Sequence, residues 1–152
     1  MKHFVFSMQK ILDLRNFELD QAEADLGKVN AEIARVNRSL EQIAKERVSF
    51  SAYSDSSSEF GVWHQTQDYF IFLDQKKEGL LAELAELQLL AEKKREVVRT
   101  CMQKVKVLEK LRDKKREEWQ DAANKQDEKI VDDVVTAQQH AKVESGKRKV
   151  ES

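Results

Sequence analysis

A four–three hydrophobic spacing runs through most of this chain, and it leaves room for little besides packed helices. From Met8 to Phe50, alternating steps of four and three select Met8, Leu12, Arg15, Leu19, Ala22, Leu26, Val29, Ile33, Val36, Leu40, Ile43, Arg47 and Phe50, of which eleven are apolar. In heptad terms Leu12, Leu19, Leu26, Ile33 and Leu40 take position a, and Met8, Ala22, Val29, Val36, Ile43 and Phe50 take position d. A second array runs through Phe70, Leu73, Lys77, Leu80, Leu84, Leu87, Ala91, Lys94, Val98, Cys101, Val105, Leu108, Arg112, Lys115, Trp119 and Ala122, twelve of sixteen apolar. Proline is absent and glycine occurs four times. The frequent turn residues that sheet-rich folds need are therefore missing.

Between the arrays lies SAYSDSSSEFG, residues 51–61. Its serines and aspartate offer the backbone hydrogen bonds that compete with helix, which predicts a loop here. The expected fold is all-α: an antiparallel two-helix coiled-coil hairpin with an overhanging C-terminal helix segment. Helices are expected over about 6–50 and 62–138, with a flexible tail over 141–152. Folding about Ser56–Ser57 makes facing positions add to about 113. That register pairs Ile43 with Phe70, Leu40 with Leu73, Ile33 with Leu80, Leu12 with Cys101 and Met8 with Val105, and it sets no polar core residue against another. The lysines and arginines in the stripe can cover the seam with their stems while their charges reach water.

The formal net charge is −1, but it is distributed in blocks. Residues 54–92 carry eight acidic and two basic side chains, residues 93–116 three and eleven, and residues 117–133 seven and two. The basic block lacks the interleaved aromatics of a nucleic-acid surface and reads as a face for an acidic protein. One cysteine, Cys101, rules out an intrachain disulfide framework and reads as a small buried hydrophobe. His3, His64 and His140 are far apart in the hairpin, and no phosphate-loop, dinucleotide or nucleophile-elbow motif occurs. Catalytic residues, a metal site and a cofactor site are not expected, and neither nucleic acid nor a small-molecule substrate is an expected ligand. Exposed apolar residues point instead to protein partners. One such group is Leu14 and Phe17 with Phe4 and Phe6 upstream, and another is Tyr69 and Phe72 beside Leu73.

Two stretches carry a family resemblance. Phe4 to Arg15 reads F-x-F-x-M-Q-K-I-L-D-L-R, and Val107 to Trp119 reads V-L-E-K-L-R-D-K-K-R-E-E-W, followed by Gln126, Lys129, Asp132 and Asp133. The pattern resembles the FliJ family of flagellar type III export proteins from about Phe4 to Val135, although the family usually has glutamate where Asp133 stands. The resemblance implies a non-enzymatic stalk and chaperone escort of flagellar biogenesis and motility. Its implied partners are the hexameric export ATPase, the export-gate membrane protein and other export chaperones. The implied location is cytoplasmic, at the inner membrane of the flagellar base. Carried over by position, Phe4, Met8, Leu12, Leu14, Arg15, Leu111, Arg112, Lys115, Arg116 and Trp119 would face the ATPase ring. Tyr69, Leu73 and Leu80 would face the gate. An equivalent stalk of a virulence secretion system, or a general coiled-coil holdase chaperone, is the alternative.

Overall fold

In the computed structural model, residues 2–57 and 59–151 are described, with side chains through Lys147. Two helices, α1 (Gln9–Ser56) and α2 (Phe60–Glu151), make up the architecture. They pack against each other as a hairpin, and the described residues contain no strand. The expected all-α hairpin is therefore what the chain forms.

The helix ends differ from those the residues suggested. Ser51–Ser56 stays in α1, and Phe60 and Gly61 already belong to α2, which leaves Ser57 and Glu59 as the described residues between the helices. The serines act locally at this break. The Ser56 hydroxyl donates to the Tyr53 carbonyl at 2.8 Å, and the Ser57 hydroxyl accepts the Glu59 N–H at 3.4 Å. The Glu59 carbonyl then accepts the first helical N–H of α2, from Trp63, at 3.3 Å. Serine side chains at the last turn thus satisfy carbonyls without ending the helix early. At the other end, α2 runs past the expected boundary near 138 to Glu151. No proline follows to stop it, and Gly146 does not take the left-handed conformation of a helix cap. The tail expected at 141–152 falls on this helix, apart from Ser152, which lies outside the described residues.

The chain divides into two compact units, Met1–Leu12 with Lys106–Ser152 (the terminal unit) and Asp13–Val105 (the central unit). In the central unit, Ala22, Val29, Val36 and Ile43 are buried at seven-residue spacing on α1, with Leu19, Leu26, Ile33 and Leu40 half-buried between them. Leu73, Ala91, Val105 and Thr66 are the buried residues of α2 there. Thr66 is tolerated because its hydroxyl donates to the Val62 carbonyl at 2.7 Å, so no polar group is stranded.

Cross-helix contacts within the central unit revise the expected register. Under the 113 rule Arg35 faces Glu78, Glu46 faces Gln67, Arg47 faces Thr66 and Phe50 faces Trp63. The observed partners are Glu83 for Arg35, Tyr69 for Glu46, Phe70 and Asp74 for Arg47, and Tyr69 for Phe50. Each lies two to eight positions further along α2. Two causes account for the slide. Helix α1 runs to Ser56 and α2 begins at Phe60, which moves the turn later than 56–57, and helical side chains lean about one position toward their own N-terminus, which in an antiparallel pair adds on both helices.

In the terminal unit, Phe6 and Leu12 are buried on one segment and Leu108 on the other. The expectation that Phe6 joins an exposed apolar group is overturned: it keeps 7% of its surface. It lies before α1 in non-helical chain, and its carbonyl accepts the Gln9 N–H at 3.1 Å as the helix opens. From Asn124 to Lys147 every side chain of α2 is exposed.

Candidate functional site

In the terminal unit the expected ring-facing residues separate into those that build the unit and those that present a surface. Leu12 keeps 1% of its surface and can only be structural. Met8, Leu111 and Arg112 are half-buried. The Arg112 Nε is buried without a hydrogen-bond partner, and its nearest carboxylate is that of the adjacent Asp113, 3.8 Å away. Its guanidinium charge is therefore held at the surface edge by its own buried stem.

A surface cluster of this unit centres on Trp119, which is half-buried like Phe4, while Arg116 is exposed. The Phe4 ring lies 6.1 Å from the Trp119 ring at an interplanar angle of 55°, within the range of a favourable tilted pair. The Arg116 guanidinium sits 5.9 Å from the Phe4 ring centre, a cation–π distance. Lys115 pairs with Glu118 at 3.4 Å along the helix. A shallow groove runs on from Trp119, lined by Lys2, Ala122, Ala123, Gln126 and Asp127. Two alanines beside a tryptophan leave a recess that a bulky side chain of a partner can fill, with a lysine and an aspartate among its lining residues.

Leu14 and Arg15, the remaining members of that expected set, belong to the central unit. Leu14 keeps 52% and Phe17 60% of their surface, and Arg15 pairs with Glu18 at 3.0 Å.

Of the expected gate-facing residues, the structure brings one into an aromatic cluster. Tyr69 lies 4.3 Å from Phe50 and 6.0 Å from Phe72 by ring centres. Its hydroxyl donates to Glu46 Oε2 at 2.8 Å. That bond holds the Glu46 carboxyl below its usual pKa and the Tyr69 phenol above its own. Leu73 keeps only 1% of its surface and is sealed in the seam, so it supports the cluster and cannot itself meet a partner. Leu80 is half-buried. Phe72, at 55% exposed, is the outward residue of the group.

A second aromatic stack went unnoticed in the sequence: Phe60 lies 5.9 Å from Trp63 and 6.5 Å from His64. Phe60 stood inside the expected loop, where helical neighbours could not be inferred. With α2 starting at Phe60, positions i, i+3 and i+4 place all three on one face.

Among the described residues no group of three or more histidine, cysteine or carboxylate side chains could hold a metal ion. No helix of the described residues is long and apolar enough to cross a membrane. The sequence pattern of the family described as Flagellar FliJ protein matches residues 4–145. The chain belongs to the FliJ family. Comparison with curated proteins and with solved structures gives no match. The FliJ family is a non-enzymatic family of flagellar export, and membership gives the chain a role in flagellar protein export, in association with the export machinery at the flagellar base. The described residues carry two aromatic clusters: an aromatic–arginine cluster with a recess beside it in the terminal unit, and one anchored to a carboxylate in the central unit.

Proposed function

We propose that this FliJ-family chain is the stalk that couples the flagellar export ATPase to the export gate and escorts other export chaperones to it. The terminal unit enters the hexameric ring, with Phe4, Arg116 and Trp119 as its contact centre and Lys115 and Arg112 as flanking charges. Met8, Leu12 and Leu111 hold that surface from beneath; Leu14 and Arg15, which belong to the central unit, are ring contacts of their own. The gate meets Tyr69, Phe72 and Leu80, with Leu73 as the buried support. The chain sits on the cytoplasmic side of the inner membrane, held there by the gate.

The observation that carries this reading is the Phe4–Trp119–Arg116 arrangement. Tryptophan and arginine dominate the energetics of protein interfaces, and here a half-buried Trp119 and an exposed Arg116 both pack on Phe4, next to a small-residue recess.

The test is stimulation of the purified export ATPase. Wild-type chain raises turnover. The Trp119→Ala, Arg116→Ala double variant needs about tenfold or more protein for the same effect, since hot-spot truncations cost about 2 kcal/mol or more. Circular dichroism of the variant stays that of the wild type because both side chains are on the surface. Equal stimulation by both proteins, or none by either, removes the reading. Capture of the gate's cytoplasmic domain by Phe72→Ala and Leu80→Ala variants tests the second surface independently.

A further inference from the structure

We propose that the C-terminal part of α2 pairs with the same segment of a second copy, antiparallel, about a two-fold axis within residues 134–141. The segment's own pattern names the occupant. Residues 127–133 carry Asp127, Glu128, Asp132 and Asp133 against Lys129, a net −3. Residues 142–149 carry Lys142, Lys147, Arg148 and Lys149 against Glu144, a net +3. Between them VVTAQQHA, residues 134–141, has no acidic, lysine or arginine side chain in a chain that is 36% charged.

Two equal and opposite blocks flanking a neutral centre are self-complementary when the copies run in opposite directions. Each acidic block then lies along the other copy's basic block, and the contact is made twice. A parallel pair would set like charges together along the same length.

Packing surface is present as well. Ile130 keeps 54% of its surface, Val131 60% and Val134 51%, and at helical spacing these fall on one face with Ala137 and Ala141. The alanines allow close helix approach at the centre of the contact. The charges are also unspent. Among the described residues, side chains from Lys125 to Lys147 form no ion pair with one another, whereas earlier in α2 Arg95, Arg99 and Lys115 each pair with a glutamate three positions away. A contact of a few helical turns is at the small end of specific interfaces, so the dimer is weak and forms and dissolves readily.

Sedimentation equilibrium of the full chain tests this directly. The weight-average mass should rise from 17.7 kDa toward twice that value as concentration passes through the range of about 10–100 μM typical of small interfaces. The association should weaken several-fold on raising salt from about 0.05 to 0.5 M, because screening shortens the reach of the charge blocks. The Ile130→Asp, Val134→Asp variant should remain monomeric. Asp127→Lys with Glu128→Lys should weaken pairing, and adding Lys147→Glu with Arg148→Glu should restore it.

Direction is read with spin labels in a Cys101→Ser background. A label at Gln138→Cys should give a short distance between copies. One at Lys125→Cys should give about 40 Å, since thirteen residues from the axis on each copy at ~1.5 Å per residue separate the labels. A chain that stays monomeric at about 1 mM, a dimer indifferent to Ile130→Asp and Val134→Asp, or a short distance at both label positions would overturn the proposal. None of these outcomes involves the ATPase, so they stand apart from the test of the stalk reading.

Discussion

Tyr69 and Glu46 are joined across the two helices of the central unit by a 2.8 Å hydrogen bond from phenol to carboxylate. Both groups shift in the sense the bond requires. The bond to Tyr69, aided by Gln42, lowers the Glu46 pKa, and the bond to Glu46 raises that of Tyr69. The carboxyl contribution to stability is therefore complete above the ordinary carboxyl value and is lost as pH falls through the lowered folded one. The phenol contribution is complete below the ordinary tyrosine value and is lost as pH rises through the raised one. Tyr69→Phe keeps the ring contacts and removes only the bond. Its urea midpoint should lie below that of the wild type at pH about 7, and the gap should be smaller at pH about 3, as Glu46 takes up its proton. A gap of the same size at both pH values would refute this account.

Leu73 is sealed at 1% exposure while Leu89, on the same helix, keeps 69%. Leu73→Ala should cost about 2–5 kcal/mol in chemical denaturation, through lost burial and the space left behind. Leu89→Ala should stay within about 0.5 kcal/mol of the wild type. Similar losses at both sites would mean that the seam does not run where the structure has it.

Arg47 pairs with Asp74 and lies 4.9 Å from the centre of the Phe70 ring. Had the helices folded about Ser56–Ser57, Arg47 would face Thr66, two turns away from Asp74. A double-mutant cycle with Arg47→Glu and Asp74→Lys should return a coupling of about 0.2–1 kcal/mol, as surface pairs do. It should shrink at high salt. Zero coupling between 47 and 74 together with coupling between 47 and 66 would restore the other register.

Gly79 sits within α2, and a methyl group added to it would meet nothing within 4 Å. The same is true of Gly27 in α1. Neither has a positive φ, so neither position needs glycine for its backbone. Gly79→Ala and Gly27→Ala should each stabilise the chain by about 0.5–1 kcal/mol through helix propensity, measured as a rise in the denaturation midpoint. A loss at Gly79 would show that its open surface is covered by something else.

The seam itself was legible in the sequence because burial follows the heptad closely. Ala22, Val29, Val36 and Ile43 are buried on α1, and Leu73, Ala91 and Val105 on α2. The register was not, and the reason is periodicity. Sliding one helix by a whole heptad keeps every apolar residue on the seam, so the stripe fixes phase and leaves the slide to the turn. Whether Ser51–Ser56 are loop or helix was in turn undecidable from composition, since serine serves both as a helix-end hydrogen bonder and as a loop residue. Among the candidate contacts, Trp119 and Phe4 stood out by chemistry, but only coordinates bring their rings to 6.1 Å. Leu73 and Leu12 looked like any other apolar residue in a motif, and their near-complete burial separates support from surface.

The exposed run of α2 from Asn124 onward has no seam to hold it, and this gives the helix a thermal gradient. A helix is hard to nucleate and easy to extend. The zipped part supplies the nucleus, so unwinding travels along the exposed run toward Asn124 as a moving front. Amide exchange should quicken steadily from Trp119 toward Lys147, with no single melting point for this stretch. Warming shortens the ordered arm turn by turn, and any macromolecule that grips it lengthens it again.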